Sequence, residues 1–235
     1  MKYVDVNLRK EEISRLIQYI ETYVIENKIE DIDTKSKNFY RFISKQIVFF
    51  KIVLNSYPNT YFVKVIISDF LSLILNDLKL EMRYYYLNQR SIIENYIRLI
   101  LKDDQYTTNI TKQSFIDIRE QLGSELSDNE YSKVINEYKI ACSFIHGGDY
   151  LRGHLVSNFE DALKNETQIS ERQRTNQIDQ FIDMINILNK LFLLKNIDEI
   201  DSSFHRSKAT LEYLMGKRYI DKFHLLKQYQ AEQLY

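Results

Sequence analysis

Residues 82–102 read MRYYYLNQRSIIENYIRLILK. Apolar side chains recur there at three- and four-residue intervals, with no glycine or proline between them, and that spacing predicts an amphipathic α-helix. On such a helix Tyr86, Arg90, Ile93, Glu94, Ile97 and Leu101 share one face. The same periodicity runs almost the whole length of the chain. It predicts helices at about 9–28, 35–56, 60–80, 82–102, 111–122, 127–146, 171–195 and 200–230. The punctuation agrees. Pro58 breaks the second helix from the third, Ser127 and Glu130 form a capping box at the start of the sixth, and Gly147-Gly148 stops it.

Scarcity of glycine and proline settles the class. The 235 residues include five glycines and one proline, where average usage would give about sixteen and about twelve. The first glycine is Gly123. A β-sandwich or barrel needs turn residues at regular short spacing, and a phosphate-binding loop needs clustered glycines beside a strand. Neither can be written with this inventory, and the expected fold class is all-α.

Two parts differ in composition. Residues 36–160 carry the most apolar helices and most of the aromatic side chains, and residues 161–178 (DALKNETQISERQRTNQI) are polar, as in a linker or a solvated helix start. From FIDMINILNKLFLLKN at 181–196 onward, apolar periodicity returns, enough to pack on the core or on another subunit. The expected organisation is a helical bundle over residues 1–160 and a C-terminal helical extension over 161–235.

Thirty-two basic against thirty-three acidic residues leave a net charge of −1. No global field recruits nucleic acid or an anionic membrane, so such binding requires a local patch. The single cysteine, Cys142, cannot form an intramolecular disulfide and fits a reducing compartment. The N-terminal MKYVDVNLRKEEIS is charged where a signal peptide needs an apolar run. The greasiest stretch, FVKVIISDFLSLIL at 62–75, is interrupted by Lys64 and Asp69 and falls short of the roughly twenty residues that span a bilayer. The expectation is a soluble, cytoplasmic protein with no membrane partner.

Two stretches carry polar groups that the apolar pattern does not require. In the first, Arg90 and Glu94 form an i,i+4 pair on an otherwise apolar stripe. Charged residues are seldom buried unless paired, so this is either a placed polar pair or an ordinary ion pair worth a few tenths of a kcal/mol. The second is YKIACSFIHGGDYLRGH at 138–154. Lys139, Cys142, Ser143 and His146 share a helix face, and His146 closes the helix, where the negative end of the dipole favours an imidazolium. A histidine there is either a capping residue or a group placed for acid–base work. Three of the five glycines, with Tyr150 and Arg152, follow immediately, in the kind of permissive loop where sites gather. Cys142 and His146 have no third ligand at recognisable spacing, so neither metal binding nor thiol catalysis is expected.

Together, RSIIENYIRLIL at 90–101 and YKIACSFIHGG at 138–148 resemble the HEPN superfamily. The likeness is closest to bacterial members in which an Arg-Ser-x-x-Glu helix precedes, by about fifty residues, a helix ending in His-Gly, and it covers about residues 60–155. The resemblance implies an all-α up-and-down bundle. It further implies a metal-independent, cofactor-free ribonuclease of toxin–antitoxin, abortive-infection or other anti-phage type, commonly a homodimer. It carries Arg90, Glu94 and His146 to a polar cluster between the two helices, with Lys139, Tyr150 and Arg152 as RNA contacts. The chain departs from the widespread family motif at the arginine four to six intervening residues before the histidine, where Ala141, Ile140 and Lys139 stand. Lys139 lacks the planar fork of arginine, which leaves Arg90 of the neighbouring helix as the replacing cation.

Two functions follow. In one, His146 acts as acid and base on a ribose 2′-hydroxyl while Arg90 stabilises the phosphate, with RNA as substrate and an antitoxin or defence-system protein as partner. In the other, the same trio is a structural network in a non-catalytic module that binds a nucleotide or another protein.

Overall fold

A computed structural model describes residues 5–29, 32–58, 60–103, 109–146, 156–157 and 170–217, together with 219, 221, 223 and 225. Among them are nine α-helices and no strand: α1 (Val6–Glu26), α2 (Thr34–Val53), α3 (Thr60–Leu78), α4 (Met82–Leu101), α5 (Lys112–Leu122), α6 (Asp128–Ile145), α7 (Glu171–Lys195), α8 (Ile197–Ser203) and α9 (Lys208–Met215), with a short 3₁₀ turn at Gly123–Glu125.

Local chemistry starts these helices. Asp5, Asp33, Thr111, Ser127 and Ser170 cap α1, α2, α5, α6 and α7 with side-chain oxygens that accept from backbone N–H groups of the first turn. At the head of α6 the capping box is reciprocal. Glu130 N donates to Ser127 Oγ at 3.3 Å and Ser127 N to Glu130 Oε2 at 3.0 Å, satisfying two donors that a helix start leaves open. Because glycine is scarce, three left-handed positions fall to other residues: Lys28, Leu80 and Lys102, with φ between 53° and 57°.

α2 and α4 occupy the middle. α2 packs against α1, α3, α7, α8 and α9, and α4 against α3, α5, α6 and α7. The fully buried side chains explain the arrangement. Phe39, Phe49 and Phe50 of α2, Tyr85 and Tyr96 of α4, and Phe181 and Phe192 of α7 interlock. Phe50 meets Tyr96 edge-on at 5.3 Å between ring centroids and Phe192 at 5.5 Å, contacts worth about 0.5–1.5 kcal/mol each beyond area burial. Buried polar groups are matched across the same helices. Tyr96 donates to Asn189 (2.8 Å), and Asn189 donates to Gln46 (2.9 Å). One hydrophobic cluster runs from Ile13 to Phe223, so the helices from residue 171 onward pack on the bundle.

The periodicity predicts one long helix over 200–230, but the chain breaks it twice. At 204–207 it turns so that Phe204, fully buried, can stack on Phe49 at 5.8 Å and 13°. α9 then ends at Gly216, whose φ of 96° suits glycine. Upstream, α7 stops at Asn196. Its amide donates to Leu99 O (3.3 Å) and Phe192 O (3.1 Å), while its Oδ1 accepts from Tyr57 (2.9 Å). No helix among the described residues is long and apolar enough to cross a membrane.

Candidate functional site

α4 and α6 lie antiparallel, because contacts that advance along one retreat along the other: Arg83 donates to Ile145 O at 3.3 Å, whereas Glu94 accepts from Tyr138. Arg90 stands between these points on α4, and His146, the C-cap of α6, reaches it across the helix pair. Arg90 Nη1 lies 3.4 Å from His146 Nε2. With the guanidinium as donor, Nε2 accepts and the ring carries its proton on Nδ1.

Glu94 fixes the other end of the guanidinium. Its Oε1 accepts from Arg90 Nε at 2.8 Å and from the Tyr138 hydroxyl at 2.9 Å. The Arg90 guanidinium lies 5.9 Å from the Tyr138 ring centroid, and that ring in turn packs on Phe115 of α5 at 5.0 Å. The hydrogen bond to Glu94 holds the Arg90 proton above the ordinary arginine range, against the opposing effect of burial. Burial, and then the Glu94 charge, push the Tyr138 hydroxyl well above its usual value. Both side chains therefore keep their protons at neutral pH and both donate to one carboxylate.

Exposure separates the roles. Arg90 and Glu94 side chains are 30% and 18% exposed, while His146 is exposed. Glu94 is thus the inner anchor, Arg90 the intermediate group, and His146 the group that meets solvent. Cys142, one turn before His146 on α6, is half-buried. The other flank of α6 is held separately. Phe144 stacks on Tyr86 at 4.0 Å and 19°, and Gln89 donates to buried Glu137 at 3.0 Å.

The structure brings Arg90, Glu94 and His146 together. Lys139 is exposed on α6, about two turns before His146. Tyr150 and Arg152 lie outside the described residues, as do Gly147 and Gly148. Tyr138 escaped the sequence reading, although it opens the second motif stretch. Its signal was the spacing of Val134, Tyr138, Ala141 and Ile145, the stripe that faces the bundle. Among the described residues, no group of three or more His, Cys, Asp and Glu side chains is gathered to hold a metal ion.

Comparison with known proteins finds no matching family model, no matching curated protein and no matching solved structure.

Proposed function

We propose that the protein is a HEPN-like endoribonuclease of bacterial defence or toxin type. The observation that carries the reading is the 3.4 Å approach of Arg90 Nη1 to His146 Nε2 at a solvent-reached edge of the α4–α6 pair. A lone-pair-bearing Nε2 beside a fixed cation suits attack by a ribose 2′-hydroxyl on the neighbouring phosphate. His146 Nε2 takes the hydroxyl proton, and O2′ bonds to phosphorus as the bond to the 5′-oxygen breaks. That oxygen leaves with a proton from water, whose hydroxide the imidazolium of His146 then neutralises as acid. Arg90 Nη1 turns from the imidazole to the phosphate and neutralises the charge that builds there, the role in which preorganised cations act most strongly. Glu94 keeps Arg90 in place through Nε, and Lys139 supplies a further phosphate contact at the exposed face. In this reading RNA is the substrate, a second copy and an antitoxin or defence-system protein are the partners, and no metal takes part in the reaction.

The test compares wild type with His146→Ala and Arg90→Ala for RNA cleavage in the presence of EDTA and for toxicity on expression. Folded variants that lose both properties support the reading. Variants that melt at lower temperature while cleavage stays unchanged make the trio a structural network and overturn it.

A further inference from the structure

α1 and α3 both pack on α2, and a trough runs between them. Ile47 and Val48 of α2 lie on the floor of its larger part, of about 490 Å³, and Leu16 and Leu71 continue from there into a smaller part of about 240 Å³. Glu12 and Lys64 stand at one end and Tyr23 and Leu78 at the other, so the two walls run in the same direction. The cross-section is deep and narrow. Tyr19 and Leu71 on the rims are 70% and 47% exposed, yet Ile13, Ile47 and Val48 within keep only 4–6%. A helix, about 10–12 Å across with its side chains, needs a wider bed than one that hides its own floor. A single extended hydrocarbon chain does not.

Polarity and length narrow the occupant further. Glu12, the one carboxylate lining the trough among the described residues, is already shared by Lys51 at 2.6 Å and Arg9 at 2.7 Å. Lys64 is exposed and has no ion pair among the described residues, so this end carries an uncompensated cation. The side chains lining the other end, from Tyr19 and Tyr23 to Leu75 and Leu78, carry no charge. Small-molecule sites join an apolar lining to a few placed polar groups in about 300–1,000 Å³, and the trough has that make-up. It is about 16 Å long along α1 from Glu12 to Tyr23 and about 21 Å along α3 from Lys64 to Leu78. Bonds of about 1.5 Å advance an extended carbon chain by about 1.3 Å each, so about 14–16 carbons reach from end to end.

We propose that the α1–α3 trough binds a long-chain fatty acid, with the tail along Ile47, Leu16 and Leu71 and the carboxylate paired with Lys64. No residue lining the trough belongs to α4 or α6, so this site is separate from the Arg90–His146 face and does not depend on what that face does.

Isothermal titration of the full chain, stripped of lipid, tests it, with each fatty acid kept below its micelle concentration. Tetradecanoate is expected to bind one per chain. Affinity should rise several-fold with each two-carbon step from decanoate to tetradecanoate, since a fully buried methylene is worth about fourfold. Tetradecyltrimethylammonium, with the same tail and the opposite charge, is expected to bind at least tenfold more weakly. Lys64→Glu should weaken tetradecanoate at least tenfold and remove that preference, and Lys64→Arg should keep it. Leu71→Glu should abolish binding with an unchanged helical melt; should it fail to fold, the variants at exposed Lys64 decide alone. Equal affinity for the two headgroups, or tetradecanoate binding untouched by Lys64→Glu, overturns the proposal. So does a wild-type chain that takes up none; a dimer in the same samples that Leu71→Glu separates would then make a second copy the occupant.

Discussion

Two clusters in this molecule use the same three chemical groups to different ends. On the α4–α6 face, Glu94 accepts from Arg90 and Tyr138. Among α2, α3 and α7, Asp77 accepts from Arg174 at 3.0 Å and from Tyr40 at 2.7 Å. Each is an arginine and a tyrosine sharing one carboxylate. The second joins residues 97 and 37 positions apart and is closed over. Asp77 is 6% exposed, and the buried Arg174 Nε has no hydrogen-bond partner among the described residues. The first is local on α4, half-open, and has an exposed histidine at its edge. Enclosure turns the triad into a fastener for the C-terminal helices, and an open edge with an added imidazole leaves it able to meet a ligand.

The sharpest way to separate the two is to cut each and measure both activity and stability. On the proposed ribonuclease reading, His146→Ala is expected to lower RNA cleavage by about 10²–10⁴-fold, the usual contribution of a general acid–base group. Arg90→Ala is expected to lower it by about 10²–10³-fold. Either change should cost less than about 1 kcal/mol in chemical denaturation, since partly exposed ion pairs contribute little. Asp77→Ala should invert the pattern. Removing one partner of a buried pair costs about 3–5 kcal/mol, and with Arg174 still 31% exposed the lower figure is expected. Cleavage by the folded fraction should not change. Equal losses of stability at the two sites would erase the distinction.

How each cluster could be read in the sequence follows from how its members are spaced. Arg90 and Glu94 are one helical turn apart, so periodicity alone shows that they share a face, and His146 is marked by the glycines that follow it. Tyr40, Asp77 and Arg174 come from three helices and have no local signature; only tertiary packing joins them. Tyr138 lies between these cases, on a visible apolar stripe but with a hydroxyl whose partner is 44 residues away. The same limit explains the misread C-terminal helix. The turn that breaks it exists because Phe204 is drawn onto Phe49, and no pattern within residues 200–230 records that attraction. Shortage of glycine gave the helical class directly, yet it did not show that Lys28, Leu80 and Lys102 would take the left-handed positions.

A third carboxylate sharpens the contrast. Asp69 of α3 is half-buried, with its Oδ2 enclosed and without a hydrogen-bond partner among the described residues; burial lifts it from 3.8 to about 6. Between those two values the native state binds the proton that the unfolded chain releases, so this group lowers stability as pH rises from 4 to 6. Asp69→Asn is therefore expected to stabilise the protein at pH 7 by about 1–2 kcal/mol, a figure reduced for the part of the group that solvent screens. The advantage should vanish near pH 4. Thermal melts at the two pH values check it, and an unchanged difference between them would show that Asp69 is not the group responsible.

The smallest effect tests whether the open cluster is positioned or merely assembled. Tyr138→Phe removes one hydrogen bond to Glu94 Oε1 and leaves the ring against Arg90 and Phe115, so the stability cost should be about 1 kcal/mol. If Tyr138 holds Glu94 so that Glu94 holds Arg90, kcat should fall several-fold while RNA binding is kept. Phe should then add nothing in a Glu94→Gln background, because residues acting through one another are not additive. Independent, additive losses would place Tyr138 in direct contact with RNA. The matching change at the enclosed triad, Tyr40→Phe, should leave kcat alone and register only in the melt, since no open group lies downstream of Asp77 to be misplaced.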